Sequence, residues 1–363
     1  MIQVTLLRDG GQSEASVADK VASFLSAAKQ TLELALYDVH LESEQAAPIK
    51  VALDEALARQ VRVRLVYNVD FGKAIAVPRP PISRPELVEA LPVEARAVPG
   101  VPDLMHHKYV IRDGDTVLTG STNWTDESWT REENLIAFVA SKTLAARYQQ
   151  NFEELWEKRD VASSGHVDSA PIEIDGHRVR PWFAPGHGEA LAHRIARCLG
   201  QAKRRIRIAS PVLTSGPILG TLAELSADHD RSLPDIAGVL DATQIAEVIG
   251  QWRARPNVSW KEAALRAVIE QRPWSGKKST PWTPDSVHDY MHAKTVVADN
   301  TVFFGSFNLS RSGESNAENT LEIDDAGLAD ELASFVDDIR GRYPRLEIPA
   351  PRGESPGRAG NRA

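Results

Sequence analysis

A strand-like stretch that occurs twice constrains this chain more than any other feature. The first copy is Met105-His106-His107-Lys108-Tyr109-Val110-Ile111-Arg112-Asp113, and the second is Met291-His292-Ala293-Lys294-Thr295-Val296-Val297-Ala298-Asp299. Residues i and i+2 of a strand point to one face, so His106 projects with Lys108 and His292 with Lys294, while His107 faces the other side, toward the core. Each copy runs through a turn into a small polar segment, Gly120-Ser121-Thr122-Asn123 and Gly305-Ser306-Phe307-Asn308. A lone His-x-Lys on a strand is ordinarily a solvent face. Two copies in register with the same downstream segment point to one site built from two halves.

The surrounding pattern repeats as well. Residues 4–7 read as a strand, Ser16 to Lys29 as a helix with Ser13 or Ser16 as its cap, Leu32 to Tyr37 as a core strand, Ile49 to Arg59 as a helix and Val61 to Tyr67 as a strand. After a proline-bearing loop (Val77 to Pro85), a short helix is expected at Leu87 to Leu91 and a short strand at Val93 to Val98. The second half replays this with a strand at Arg178 to Phe183, helices at Ala190 to Lys203 and Pro217 to Leu225, and strands at Arg205 to Ser210 and Ile236 to Asp241. Strand–helix–strand order at this spacing predicts an α/β fold with largely parallel pairing. The second half carries about 12 extra residues before His292, placed near Arg272 to Trp282. The expected organisation is a first domain over 1–160, a linker over 161–171, a second domain over 172–346 and a disordered tail over 347–363, whose arginines are solvated.

Net charge of -8 argues against a broad basic surface for nucleic acid, although a narrow basic groove stays open. Cys198, the only cysteine, reads as a buried helix residue and forbids an intramolecular disulfide. With no visible signal peptide and no run of apolar residues long enough to span a bilayer, a cytoplasmic location without a transmembrane segment is expected.

Two histidines meeting across an interface can divide one reaction into two steps. One imidazole attacks while the other protonates the leaving oxygen and then activates water. Lysine ammonium and Ser/Asn groups suit the non-bridging oxygens of a phosphate, and their charge stabilises a pentacoordinate transition state. The two lysines supply the charge a cation would provide, so neither a metal nor a cofactor is expected.

His106-x-Lys108-x4-Asp113 and His292-x-Lys294-x4-Asp299, each followed by Gly-Ser-x-Asn and then by Glu133 or Glu318 ten residues after its asparagine, resemble the paired HKD motifs of the phospholipase D superfamily. The resemblance covers roughly residues 1 to 345. It implies two pseudo-symmetric α/β sandwich domains, each a mixed sheet flanked by helices, with one active site at their interface and a phosphohistidine intermediate. It makes His106 and His292 nucleophile and general acid/base, the first copy being the nucleophile. Lys108, Lys294, Asn123 and Asn308 become phosphate ligands with Ser121 and Ser306 in support, and Glu133 and Glu318 orient the histidines. For Asp113 and Asp299 we expect a structural role at the turn. The first copy has one more residue between its Asp and its Gly, which a hairpin turn absorbs.

Members of that superfamily act on phospholipids or nucleic acids, and some have no activity. A candidate substrate-contact loop carries Trp274, Lys277, Lys278 and Trp282, suited to a lipid interface with peripheral membrane contact, to base stacking, or simply to packing. Trp124 and Trp129 line the pocket or pack beneath it, and His288 and Asp289 sit at its mouth or in a loop. The negative charge tilts the expected substrate toward a phospholipid. A nuclease acting on DNA or RNA is the alternative, and a non-catalytic phosphate-binding module the third.

Overall fold

The computed structural model describes residues 1–40, 44, 47–69, 93–100, 102–227, 234–283 and 286–348. The loop at Val77 to Pro85, the helix expected at Leu87 to Leu91 and the tail from Pro349 to Ala363 lie outside them.

The duplication extends to the strand order. The first half contributes β1 (Ile2–Leu7), β2 (Thr31–Leu36), β3 (Val39–His40), β4 (Arg62–Val69), β5 (Glu94–Pro99), β6 (Lys108–Arg112), β7 (Thr116–Gly120), β8 (Trp124–Thr125) and β9 (Asn134–Ala140). Seven of these form a sheet in the order β1-β9-β7-β6-β2-β4-β5, and β3 pairs separately with β8. The second half contributes β10 (Ile172–Ile174), β11 (His177–Ala184), β12 (Arg205–Ser210), β13 (Asp235–Asp241), β14 (Trp274–Lys277), β15 (Thr295–Ala298), β16 (Thr301–Gly305) and β17 (Glu318–Asp324). Their order, β10-β11-β17-β16-β15-β12-β13-β14, repeats the first sheet strand for strand and adds β10 at one edge. Parallel pairing holds for β2–β4–β5 and β12–β13–β14. Apart from the short parallel β3–β8 pair, the remaining pairs are antiparallel, so the two large sheets are mixed rather than largely parallel. The cause is local: each motif strand returns through a tight turn, too short for a parallel crossover.

Helices follow the apolar spacing. In α1 (Glu14–Ser26), the Ser13 side chain accepts from Ser16 N, and Val17, Val21 and Leu25 bury one face. After α2 (Ala47–Ala58) and the single-turn α3 (Asp126–Thr130), α4 (Lys142–Lys158) is capped by Ser141 and buries Leu144, Tyr148, Phe152 and Leu155. Then come α5 (Gly188–Gln201) and α6 (Gly216–Ala227). Two helices that the repeat does not anticipate, α7 (Ala242–Arg253) and α8 (Trp260–Gln271), cross over from β13 to β14. The short α9 (Arg311–Ser315) precedes β17, and α10 (Ala326–Arg342), capped by Asp325, ends the second half. One continuous apolar cluster joins Tyr109, Val117, Tyr148 and Phe152 of the first half to Phe183, Phe304, Leu321 and Leu332 of the second. Each such side chain contributes about 1.5–3 kcal/mol by leaving water, so this shared cluster joins the halves, each of which also has an apolar cluster of its own.

The motif aspartates are anchors. The Asp113 carboxylate accepts from the backbone N–H groups of Lys29, Gln30 and Thr31 at 2.7–3.0 Å. Asp299 does the same for Lys203, Arg204 and Arg205 at 2.8–3.1 Å. Both sit at positive φ, 52° and 53°, at the hairpin turn. Partial burial pushes their pKa up, but the three backbone donors outweigh it and hold each carboxyl below its ordinary value. Asp113→Ala is expected to cost about 1–2 kcal/mol in urea unfolding at neutral pH, since the carboxylate is partly solvated. Because the folded pKa is depressed, this stabilisation is present above the unfolded pKa and disappears as pH falls through the folded one. A wild-type–variant difference unchanged in acid would contradict the anchor role.

Candidate active site

Each histidine is delivered by one half against the strand that begins the acid-bearing segment of the other. His106 N donates to Ala317 O at 2.9 Å, and Met105 bridges Ala317 while Met291 bridges Glu133. The geometry that results is a cross-exchange. His106 Nδ1 donates to Glu318 at 2.9 Å, 212 residues away in sequence. His292 Nδ1 donates to Asn134 Oδ1 at 3.1 Å and lies 3.3 Å from Glu132 Oε2. In both cases Nδ1 is occupied, which leaves Nε2 as the reactive nitrogen.

The lysines mirror one another. Lys108 Nζ donates to His106 O at 2.8 Å and Lys294 Nζ to His292 O at 2.5 Å. Lys108 also lies 4.8 Å from the centre of the Tyr37 ring, which packs on His106. Burial pushes Lys108 down to about 7, and burial together with the Lys108 charge pushes Lys294 well below its usual range. Burial and the two lysines likewise depress both histidines, so the imidazoles rest neutral. Burial raises Glu132 and Glu318 to about 7. An anion placed among these groups relieves the lysine–lysine repulsion and restores charge to the histidines.

A cleft of about 510 Å³ opens over both histidines and is lined by Tyr37, Asn123, Glu132, Trp252, Tyr290 and Asn308 among others. Asn123 and Asn308 each carry a buried Oδ1 with no hydrogen-bond partner among the described residues, so these side chains are unspent. Trp129 Nε1 donates to Asn123 O at 3.0 Å and holds that loop; Trp129 and Trp124 are fully packed. His288 and Trp282 line the cleft, whereas Asp289 accepts from Thr280. His107 is buried as expected, with Nδ1 3.2 Å from Asn319 Oδ1.

Several sequence expectations are corrected. Glu133 does not reach a histidine. It is fully buried against Lys277 Nζ at 2.9 Å and receives the Tyr343 hydroxyl. The reason is register. Gly120 pairs with Ile136, but Gly305 pairs with Thr320, so the first half has one extra residue in this connection. Asn134 therefore stands where Glu318 stands, and Glu133 takes the place of Ala317. Ser121 and Ser306 are buried and do not line the cleft, although Ser306 bonds to Glu318 and His106 behind it. Ser121 Oγ donates to Asn134 Oδ1 and accepts from Leu135 N, and Ser306 Oγ accepts from Asn319 N. They tie the Gly-Ser turn to the acid-bearing strand, which passes so close that a Cβ on Gly120 or Gly305 would lie 2.2 or 2.1 Å from a carbonyl oxygen. Trp274 and Lys277 are buried in β14 rather than displayed in a loop; Lys278 is exposed, and of the four only Trp282 lines the cleft. Glu132, Asn134 and Tyr37 escape a reading of the motif alone. The Glu132-Glu133 doublet was the available signal for the first of them.

No helix among the described residues is long and apolar enough to cross a membrane. A family model described as "Cardiolipin synthase, PLD-like domain" matches residues 21–156 and 195–339, segments that contain both motif copies. Among curated proteins, the mitochondrial cardiolipin hydrolase of Xenopus tropicalis is 42% identical over 59 residues, 16% of this chain and 28% of that protein. Its Xenopus laevis counterpart is 33% identical over 109 residues, 29% of this chain and 47% of that protein, so this chain spans less than half of either relative. Among solved structures, phosphatidylserine synthase from Haemophilus influenzae Rd KW20 superposes with a TM-score of 0.63 at 14% identity, covering 94% of this chain and 85% of that one, which is a likeness of fold. The two matched segments span most of the chain and carry the whole paired constellation, and on that ground the chain belongs to the phospholipase D superfamily.

Proposed function

We propose that the chain is a phosphodiesterase that needs no metal ion, with a phospholipid as its preferred substrate. The observation that carries this reading is the cross-exchange itself: two buried His–Lys pairs, one from each half, with both Nδ1 atoms engaged by the opposite half. The lysine ammonium groups and the Nδ2 groups of Asn123 and Asn308 donate to the non-bridging oxygens. One histidine attacks phosphorus through Nε2, and the P–O bond to the leaving group breaks as the other histidine, which takes up a proton at Nε2 when the anionic substrate binds, delivers that proton to the leaving oxygen. Water then attacks the phosphohistidine, gives its proton to that second histidine and releases the first.

The lipid preference rests on the cleft and its rim. Val212, Val248, Trp252 and Tyr290 give it apolar walls, and Trp260, 49% exposed, stands beside the cleft-lining Lys261. An exposed tryptophan next to a cation suits the headgroup layer of a membrane. A nuclease is the second reading, favoured by Arg255, Lys261 and Arg311 along the same cleft, which suit a polyanion. The deciding experiment is a panel of phosphatidylcholine, cardiolipin, single-stranded DNA, duplex DNA and RNA, each with and without EDTA. Turnover of a lipid that survives EDTA is expected; turnover of nucleic acid alone would overturn the lipid preference.

Anion affinity offers a check that needs no turnover. Inorganic phosphate or vanadate at 100 times its Kd is expected to stabilise the fold by about 2.7 kcal/mol, read as a higher Tm. The Lys108→Ala/Lys294→Ala double variant is expected to lose that response, and a response that persists would remove the lysines from the phosphate site.

A further inference from the structure

One wall of the cleft is a single helical face. Gln244, Glu247, Val248, Gln251 and Trp252 recur at three- and four-residue spacing along α7 and line the cleft. Ile245 and Ile249, on the other side of the helix, are buried in the apolar cluster of the second half. The polar members of the cleft face are unspent. Thr243, at the start of α7, gives its hydroxyl to Ser279 O at 2.6 Å, and Arg253, at its end, donates to Glu262 at 2.6 and 3.0 Å. Gln244, Glu247 and Gln251, by contrast, have no side-chain hydrogen bond or ion pair among the described residues. Partial burial raises the Glu247 carboxyl, and no cation offsets it. Tyr290 lines the same cleft, and its hydroxyl too has no partner among the described residues. Burial raises that phenol, with the Glu132 and Glu247 carboxylates adding to the effect, so it stays protonated and able to donate.

A polar helix face in open water needs no ligand, but this one borders the histidines and lysines that take the phosphate. Amides donate and accept, a carboxylate accepts, and a phenol donates and accepts, a set that hydroxyl groups satisfy because each of them does both. An ammonium only donates, so it would use Glu247 and leave the amide N–H groups of Gln244 and Gln251 to water. Reach narrows the class further. Gln244 and Gln251 stand two helical turns apart, about 10 Å along the axis. Side chains converging from that distance onto Glu247 hold a hydroxylated ring better than a short glycerol or ethanolamine chain. Trp252 supplies an apolar plate for the C–H face of such a ring. Resting on the phosphodiesterase reading above, we propose that the cleft face of α7 is a leaving-group subsite for a cyclic polyol of the inositol or hexose kind, with Glu247, Gln244 and Gln251 as its specificity-determining residues. Ring hydroxyls donate to the Glu247 carboxylate, and the two amides donate to ring hydroxyls. The P–O bond that breaks is the one to the ring oxygen, which takes the histidine's proton and departs as the free polyol, while the phosphoryl group passes to the attacking histidine and then to water.

The test compares headgroups at constant acyl composition, using the full chain and mixed micelles. Phosphatidylinositol is set against phosphatidylethanolamine, and glycerophosphoinositol against glycerophosphoethanolamine; the second pair tells whether the ring is read on a lipid or on a soluble diester. Bis(4-nitrophenyl) phosphate serves as a diester without a polyol. Wild-type kcat/KM is expected to favour inositol over ethanolamine by about 10–100-fold. Glu247→Ala and the Gln244→Ala/Gln251→Ala double variant are each expected to lower that ratio about 10-fold, mainly through a higher KM, because the subsite binds ground state and transition state alike. Glu247→Gln, which keeps the size and one acceptor oxygen, should fall between wild type and Glu247→Ala. A merely structural defect would slow both headgroups together and leave the ratio where it was. Two results would overturn the subsite: a wild-type ratio near one in both pairs, or variants that slow inositol and ethanolamine substrates equally. A wild-type chain that turns over bis(4-nitrophenyl) phosphate without discriminating headgroups removes this inference alone. One that turns over no diester overturns the phosphodiesterase reading, and the subsite with it.

Discussion

His106→Ala and His292→Ala are each expected to lower turnover of the preferred diester by about four orders of magnitude or more, while wild-type activity survives EDTA. Neither imidazole has a stand-in. Among the described residues His107 faces Asn319 in the core, and His288 lines the cleft without engaging either catalytic partner. The fold should be retained at a cost of about 1–3 kcal/mol, since each change leaves a buried partner, Glu318 or Asn134, without its histidine. Circular dichroism and the unfolding midpoint check that point, and trapped turnover should place an acid-labile, base-stable phosphoryl label on a histidine. Full activity in either single variant would end the two-histidine mechanism. A label on serine would mean that the superfamily's chemistry does not carry over.

The second large effect is on stability. Lys277→Met is expected to destabilise the chain by about 3–5 kcal/mol, because it removes the buried cation closest to Glu133 and leaves that buried carboxylate only the half-exposed Arg342 at 4.0 Å. Lys277 Nζ contacts Glu133 at 2.9 Å, Asp9 at 3.2 Å and Arg131 O at 2.6 Å, and so bolts β14 of the second half to the first. Removing both charges together, in Lys277→Met/Glu133→Leu, should cost clearly less than the sum of the two single changes, since a hydrophobic replacement of a buried pair is often tolerated. Urea unfolding of the four members of the cycle gives the answer; additive losses would show that the pair is not coupled.

That pair also shows where a sequence reading stops. Pro273-Trp274-Ser275-Gly276-Lys277-Lys278 has the composition of an exposed turn, rich in Gly, Ser and Lys. In the fold, Trp274 to Lys277 pair in parallel with Gly238 to Asp241, and the Trp274 ring occupies the space above Gly238, where a Cβ would lie 2.3 Å from it. Nothing local announces this, because the glycine that makes room lies on a different strand.

The site divides the same way. Period-two spacing put His106 with Lys108 and His292 with Lys294, and the repetition of both pairs with Gly-Ser-x-Asn made a shared site legible without any coordinates. The turn aspartates were legible too, as hairpin anchors rather than reactants. Which acid serves which histidine was not. Counting from the asparagines puts Glu133 and Glu318 at equal distances, yet the strand pairing differs by one residue, and a slip of one residue turns a side chain to the opposite face of its strand. The sequence by itself determined the fold class and the pairing of two half-sites, because those depend on local period and repetition. Only the tertiary structure decided that His106 meets Glu318 while His292 meets Asn134 and Glu132, because such contacts depend on strand register across an interface between residues 212 and 158 positions apart.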